Sequence, residues 1–179
     1  MRKIGLIYGV IGGTLVSAML LIGMILWKDG SIDFDGSMLL GYGSMVVALS
    51  AVFFGIKSYR DKHLKGSINF LKGLQVGMFI TLVASLMYVA TWEVFVRTRP
   101  ADYANFMAKY TQCQLDKLTA GGASPEEVAV KSKEMTDFME LYENPAVRMG
   151  ITLLEILPVG IVVTLISAAV LRRKQVLPA

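Results

Sequence analysis

Two glutamates, Glu93 and Glu155, stand inside long apolar stretches of the sequence. A carboxylate in such a stretch is costly in lipid, and it marks an ion pathway, a proton relay or a buried pair. Pro158 follows Glu155 by three residues. A proline within a helix has no N–H and leaves the carbonyl of the fourth residue before it unpaired, here Leu154 beside the carboxylate. A carboxylate next to a freed carbonyl at a kink can hold a cation or exchange a proton. Glu93, Glu155 and Pro158 are therefore the candidate intramembrane polar site. Structural roles compete with this reading. Arg97 lies four residues after Glu93, the favourable spacing for a helical ion pair. Glu155 can reach the wet interface, Arg148 two turns earlier, or a Tyr or Ser hydroxyl. Periodicity does not set whether the two glutamates meet.

No nucleophile elbow, phosphate-cradling glycine loop or metal-ligand spacing occurs, so no catalytic residue and no enzyme activity is expected. His63 and Cys113 are each the single residue of their kind, which excludes an intrachain disulfide and any multi-Cys/His metal site. Neither a metal nor another cofactor is expected.

These glutamates need elements that hold them in lipid. Of 179 residues, 54% are hydrophobic and 18% charged, and mean hydropathy is +0.55. The net charge of +4 comes from basic residues clustered beside apolar stretches. That pattern writes membrane topology and excludes a nucleic-acid groove. Four stretches can span a bilayer, about 4–27, 38–56, 71–96 and 147–171. The first resembles a signal peptide through Val16-Ser17-Ala18, yet its apolar run continues to Trp27, so an uncleaved span is expected.

Orientation follows from lysine and arginine bias. The loop 28–37 carries Asp29, Asp33 and Asp35 against Lys28, whereas 57–66 carries Lys57, Arg60, Lys62 and Lys65 against Asp61. With the basic N-terminus and Arg172-Arg173-Lys174, this places both termini in the cytoplasm and residues 97–146 outside. Trp27 and Trp92 are then expected at the outer interface. The expected fold is an all-α, integral membrane four-helix bundle forming one domain, with an extracytoplasmic helical hairpin between spans three and four.

Spans associate in lipid through close backbone approach. Gly5, Gly9, Gly13 and Ser17 form one stripe at successive fourth positions, Gly73 and Gly77 another, and Gly160 begins a third. Intramolecular packing or homo-oligomerisation would use them. Gly5–Gly9 followed by Thr14 resembles Gly73–Gly77 followed by Thr81, which suggests a duplicated two-helix unit.

Within 97–146, Pro100 opens one helix and Gly121-Gly122 closes it. Ser124-Pro-Glu-Glu127 opens the next as a capping box, and Asn144-Pro145 ends it. Phe106, Tyr110, Met135, Phe138, Met139 and Tyr142 form a Met/aromatic face, a candidate surface for a membrane-protein partner or for packing within the hairpin or on the membrane. Cys113 falls on the same face, as a buried thiol.

The run Gly66–Gly77, the group Tyr88, Trp92 and Glu93, and Asn144-Pro145 followed by Leu154–Gly160 and Ser167-Ala168 resemble the bacterial domain-of-unknown-function family numbered 4199. The resemblance covers nearly the whole chain and implies a small four-span protein of the bacterial cytoplasmic (inner) membrane. It implies no activity. The expectation is thus a non-enzymatic accessory or interaction subunit, the alternative a small transporter or ion-coupled sensor using Glu93 and Glu155.

Overall fold

A computed structural model describes residues 1–28, 32 and 34–173. The loop acids Asp29 and Asp33 and the tail from Lys174 onward lie outside the described residues, as does the side chain of Asp35. Six helices make up the fold: α1 (Arg2–Lys28), α2 (Phe34–His63), α3 (Phe70–Thr98), α4 (Pro100–Ala120), α5 (Pro125–Glu143) and α6 (Pro145–Leu171). Of these, α1, α2, α3 and α6 are long and apolar enough to cross a membrane. Leu6, Val10, Leu86, Leu154 and Ile166 stay exposed on them, as side chains facing lipid must.

Helix α2 is longer than expected. Residues 57–63 continue it instead of belonging to the connecting loop. Lys, Ser, Tyr, Arg and Asp tolerate a helix, and no Gly or Pro intervenes before Gly66. Arg60, Lys62 and His63 also complement the negative end of the helix dipole. The chain then turns through Lys65 and Gly66, both at positive φ. Ile68 pairs with Arg173 through backbone hydrogen bonds of 3.1 and 2.9 Å, which fastens the end of α6 to the α2–α3 connection.

Two seams hold the bundle. Along the first, Gly5, Gly9, Gly13 and Ser17 of α1 face Phe79, Val83, Met87 and Thr91 of α3. Both series step by four residues in the same direction, so the helices run parallel. A Cβ at Gly9 would lie 2.6 Å from that of Val83, and one at Gly13 2.6 Å from Met87 Sδ. Thr91 completes the stripe by donating to the Ser17 hydroxyl at 2.9 Å. Along the second seam, Gly73, Gly77 and Thr81 of α3 meet Ala168, Thr164 and Gly160 of α6, now antiparallel. Thr81 and Thr164 share a hydrogen bond of 3.0 Å between fully buried hydroxyls. Small residues thus bring α3 into backbone-close contact with α1 on one side and α6 on the other.

The local signals for α4 and α5 form as read. Pro100 sits in the first turn of α4. Ser124 and Glu127 make a reciprocal capping box. Gly122 takes φ +88° at the turn between the helices, a region that favours glycine. Asn144 caps α6 by accepting from the Ala146 N–H at 2.9 Å. Lys28 at the end of α1 reaches Asp102 of α4 at 2.8 Å, so the polar pair of helices is tied to the same end of the bundle. Pro158 lies within α6 without ending it.

Candidate functional site

Glu93 and Arg148 approach from opposite directions at the α4–α5 end of the bundle. Glu93 lies in the last turns of α3 and Arg148 in the first turn of α6. The guanidinium donates to both carboxylate oxygens, Nε to Oε1 at 2.7 Å and Nη2 to Oε2 at 2.9 Å. Only 7% of Glu93 and 5% of Arg148 is exposed, so this is a buried, bidentate pair. Nη1 donates to the carbonyls of Tyr142 and Glu143 at 3.3 and 3.4 Å, which binds the end of α5 into the same joint. Arg97, expected as the partner of Glu93, contributes from 3.7 Å at an exposed position. Arg148 is therefore unavailable to Glu155, contrary to that expectation. Its guanidinium is held back toward the helix start, and Glu155 lies about 10 Å further along α6 at 1.5 Å per residue.

Glu155 occupies different surroundings. It makes no hydrogen bond or ion pair among the described residues, and its carboxylate borders a cavity of about 360 Å³. Helix α1 contributes Val16, Leu20 and Met24 to the wall, and α2 contributes Met38, Tyr42, Ser44 and Met45. Tyr88 and Trp92 come from α3, while Phe106, Tyr110, Phe138 and Tyr142 close the cavity from α4 and α5. Among the described residues that line it, Glu155 alone is formally charged. The wall forms because the α3–α6 seam at Gly73, Gly77 and Thr81 holds these two helices close below this level. Above Ala84 the larger Tyr88 and Trp92 replace the small residues of α3. Glu93 is not part of the lining, so the structure gives the two glutamates separate environments.

A hydrogen-bonded chain runs from the cavity to the ion pair. Trp92 Nε1 donates to the Tyr142 hydroxyl at 3.1 Å, and Tyr142 and Thr152 share a hydrogen bond of 3.4 Å. Thr152 donates to the Arg148 carbonyl at 2.8 Å, so the order of donors runs from Trp92 toward Arg148. Burial pushes the Tyr142 hydroxyl above the ordinary phenol range, against the opposing hydrogen bonds from Thr152 and Trp92. Burial does the same to Tyr103, against the nearby Arg148 charge. Both phenols stay neutral and serve as hydrogen-bonding groups. Tyr88 is buried, borders the cavity, and makes no hydrogen bond with its hydroxyl among the described residues.

The Met/aromatic face of α4 and α5 is turned largely onto the bundle. Phe106 packs edge-on against Trp27 at 4.5 Å and against Trp92 at 5.8 Å. Tyr142 is buried, and Tyr110, Met135, Met139 and Cys113 are half-buried. Phe138 stacks on Tyr142 at 5.6 Å but remains exposed on its other side. Trp27 and Trp92 are consequently buried beneath this layer. Their rings have better partners in Phe106 and Tyr142 than headgroups could supply. Tyr88 is buried likewise, whereas Tyr42 stays exposed.

Arg148 as the partner of Glu93, and Tyr142 as a hydrogen-bonding hub, were missed from the sequence. A usable signal existed for the first: opposite charges at matching depths on antiparallel spans. No equivalent signal marked Tyr142, whose role depends on how α5 folds back. Among the described residues, no three His, Cys, Asp or Glu side chains gather as a metal site.

Comparison with curated proteins and with solved structures yields no match. Over residues 7–173 the sequence matches the family model described as protein of unknown function (DUF4199), and the chain belongs to that family.

Proposed function

We propose that this is a non-enzymatic, ligand-binding protein of the bacterial cytoplasmic membrane, a sensor or carrier whose site is the cavity at Glu155. The positive-inside pattern puts both termini in the cytoplasm, so the cavity opens toward the outer face under α4 and α5. The observation that carries the reading is a carboxylate without a partner among the described residues, on the wall of a roughly 360 Å³ chamber of aromatic and thioether groups. Ligand sites have this composition, a mainly apolar wall with a few polar groups. Glu93 supports the assignment by contrast, because Arg148 neutralises it.

The test is thermal unfolding of the purified protein in mild detergent against a panel of small amphiphiles of either charge and of none. At least one should stabilise the wild-type chain. The same compound should fail with Gly41→Leu, since Gly41 lines the cavity and an added Cβ there meets nothing within 4 Å. A panel without any stabilising member would sink the proposal.

A second reading, an accessory subunit or a self-associating one, has its own observation. Val130, Phe138 and Leu141 leave an exposed apolar strip on α5, outside the spans. It expects a stoichiometric partner, or a second copy of the chain, to co-purify from native membranes and to be lost on Leu141→Glu. A lone monomer would remove this reading.

A further inference from the structure

We infer that the cavity takes an apolar organic monocation, an inference that rests on the ligand-binding reading above. The sign follows from the lining. Glu155 supplies one negative charge, and among the described residues no Lys, Arg or His lines the cavity to neutralise it. Arg148, the nearest cation along α6, is bound through three of its nitrogens to Glu93 and two carbonyls. A carboxylate left in these surroundings favours whatever brings the opposite charge, and a ligand with a single positive charge leaves the site neutral.

The organic character follows from the remaining groups. Tyr88, Trp92, Phe106 and Tyr142 present rings to the chamber, and ring faces attract cations that carry little hydration. Met24 and Met45 add flexible thioethers that adapt to an irregular apolar body. Hard inorganic cations are a poor fit, because calcium takes six to eight oxygen ligands and magnesium keeps its waters. Here the side-chain oxygens that the described residues bring to the wall are one carboxylate and a few hydroxyls, of which Ser44 already donates to the Gly41 carbonyl at 2.7 Å. The Tyr88 hydroxyl, free of any hydrogen bond among the described residues, is available to a polar edge of the ligand. The volume of about 360 Å³ lies at the small-molecule end of binding sites.

Tetraphenylphosphonium and tetraphenylborate test this directly, since they share size and shape and differ in the sign of charge. Both are titrated into the full chain in mild detergent while the emission of Trp27 and Trp92, each on the cavity wall, is followed. Gly41→Leu provides the background of partition into the micelle. The expected result is saturable binding of the phosphonium, at least tenfold tighter than the borate and at least about tenfold weaker in Glu155→Gln. Borate binding as tight as phosphonium binding, or a Glu155→Gln chain that holds the phosphonium unchanged, overturns the cation and leaves the ligand site standing. Absence of a saturable response to either ion overturns the cation as well, and the amphiphile panel then decides the site itself. If Glu155→Gln does not fold, the phosphonium-to-borate ratio in the wild-type chain still returns the answer.

Discussion

At the level of Gly77 and Thr164, α3 and α6 come so close that a Cβ on the glycine would lie 2.6 Å from the threonine methyl. Toward α4 and α5, the same two helices border a cavity of about 360 Å³ through Tyr88, Trp92, Thr152 and Glu155. One pair of helices therefore makes a tight seam in one half of the bundle and a chamber wall in the other. The difference lies in side-chain size and charge pairing. Small residues and a satisfied threonine pair close the seam, while large rings and the Glu155 side chain line the other half. The two intramembrane glutamates divide in the same way. Glu93 is locked by Arg148, and Glu155 has no protein partner among the described residues.

Matched substitutions at the two glutamates should give the sharpest break. Arg148→Ala strands the buried Glu93 carboxylate and is expected to cost about 3 kcal/mol. Glu93→Gln should fall in the same direction, whereas Glu155→Gln is expected to stay within about 0.5 kcal/mol of the parent. Denaturation of the detergent-purified chains reads all three. Equal losses at Glu93 and Glu155 would mean that Glu155 is structural too.

Adding bulk probes the seam against the chamber. Gly77→Val or Gly160→Val forces α3 and α6 apart, for a loss of about 2 kcal/mol. Gly41→Ala enters open space at the cavity and should be neutral or gain up to about 1 kcal/mol from helix propensity. A tolerated Gly77→Val would show that the seam can open like the chamber.

A smaller effect is expected from Tyr142→Phe, which removes the hydroxyl between Trp92 and Thr152 while keeping the ring. The loss should be about 1 kcal/mol, accompanied by a shift in tryptophan emission as the Trp92 N–H loses its acceptor. Unchanged emission would detach Trp92 from the hydrogen-bonded chain.

The smallest effect concerns pH. The hydrogen bond from Lys28 holds the Asp102 carboxyl below its ordinary range, with Arg99 adding to it. A folded-state value below the unfolded one gives a contribution present above the ordinary aspartate range, lost as pH falls through the folded value. Asp102→Asn should therefore be slightly less stable than the parent near neutrality and converge with it in acid. Parallel curves from neutral pH into acid would remove Asp102 from the attachment of α4.

Much of this architecture was legible in the residues. Apolar length marked the spans, and the capping box at Ser124 and the caps around Pro100 and Asn144 marked α4, α5 and the start of α6, because such signals are local. The seven small residues of the glycine stripes were legible as a packing surface, but not as contacts with particular helices. The cavity was not legible. Its wall draws on residues from Val16 to Glu155, across all six helices. The burial of Trp27 and Trp92 was not legible for the same reason, since nothing near Trp27 indicates that Phe106 will fold over it.

By itself, then, the sequence determined the all-helical membrane class, the helix boundaries to within a few residues except at the end of α2, which runs on to His63, and the two glutamates that demand an explanation. Hydropathy, caps and charge are properties of neighbours along the chain, and they act before any helix meets another. Tertiary structure alone decided which glutamate is neutralised. Helix rotation and the return of α4 and α5 bring Arg148 to Glu93 across fifty-five residues and leave Glu155 on the cavity wall.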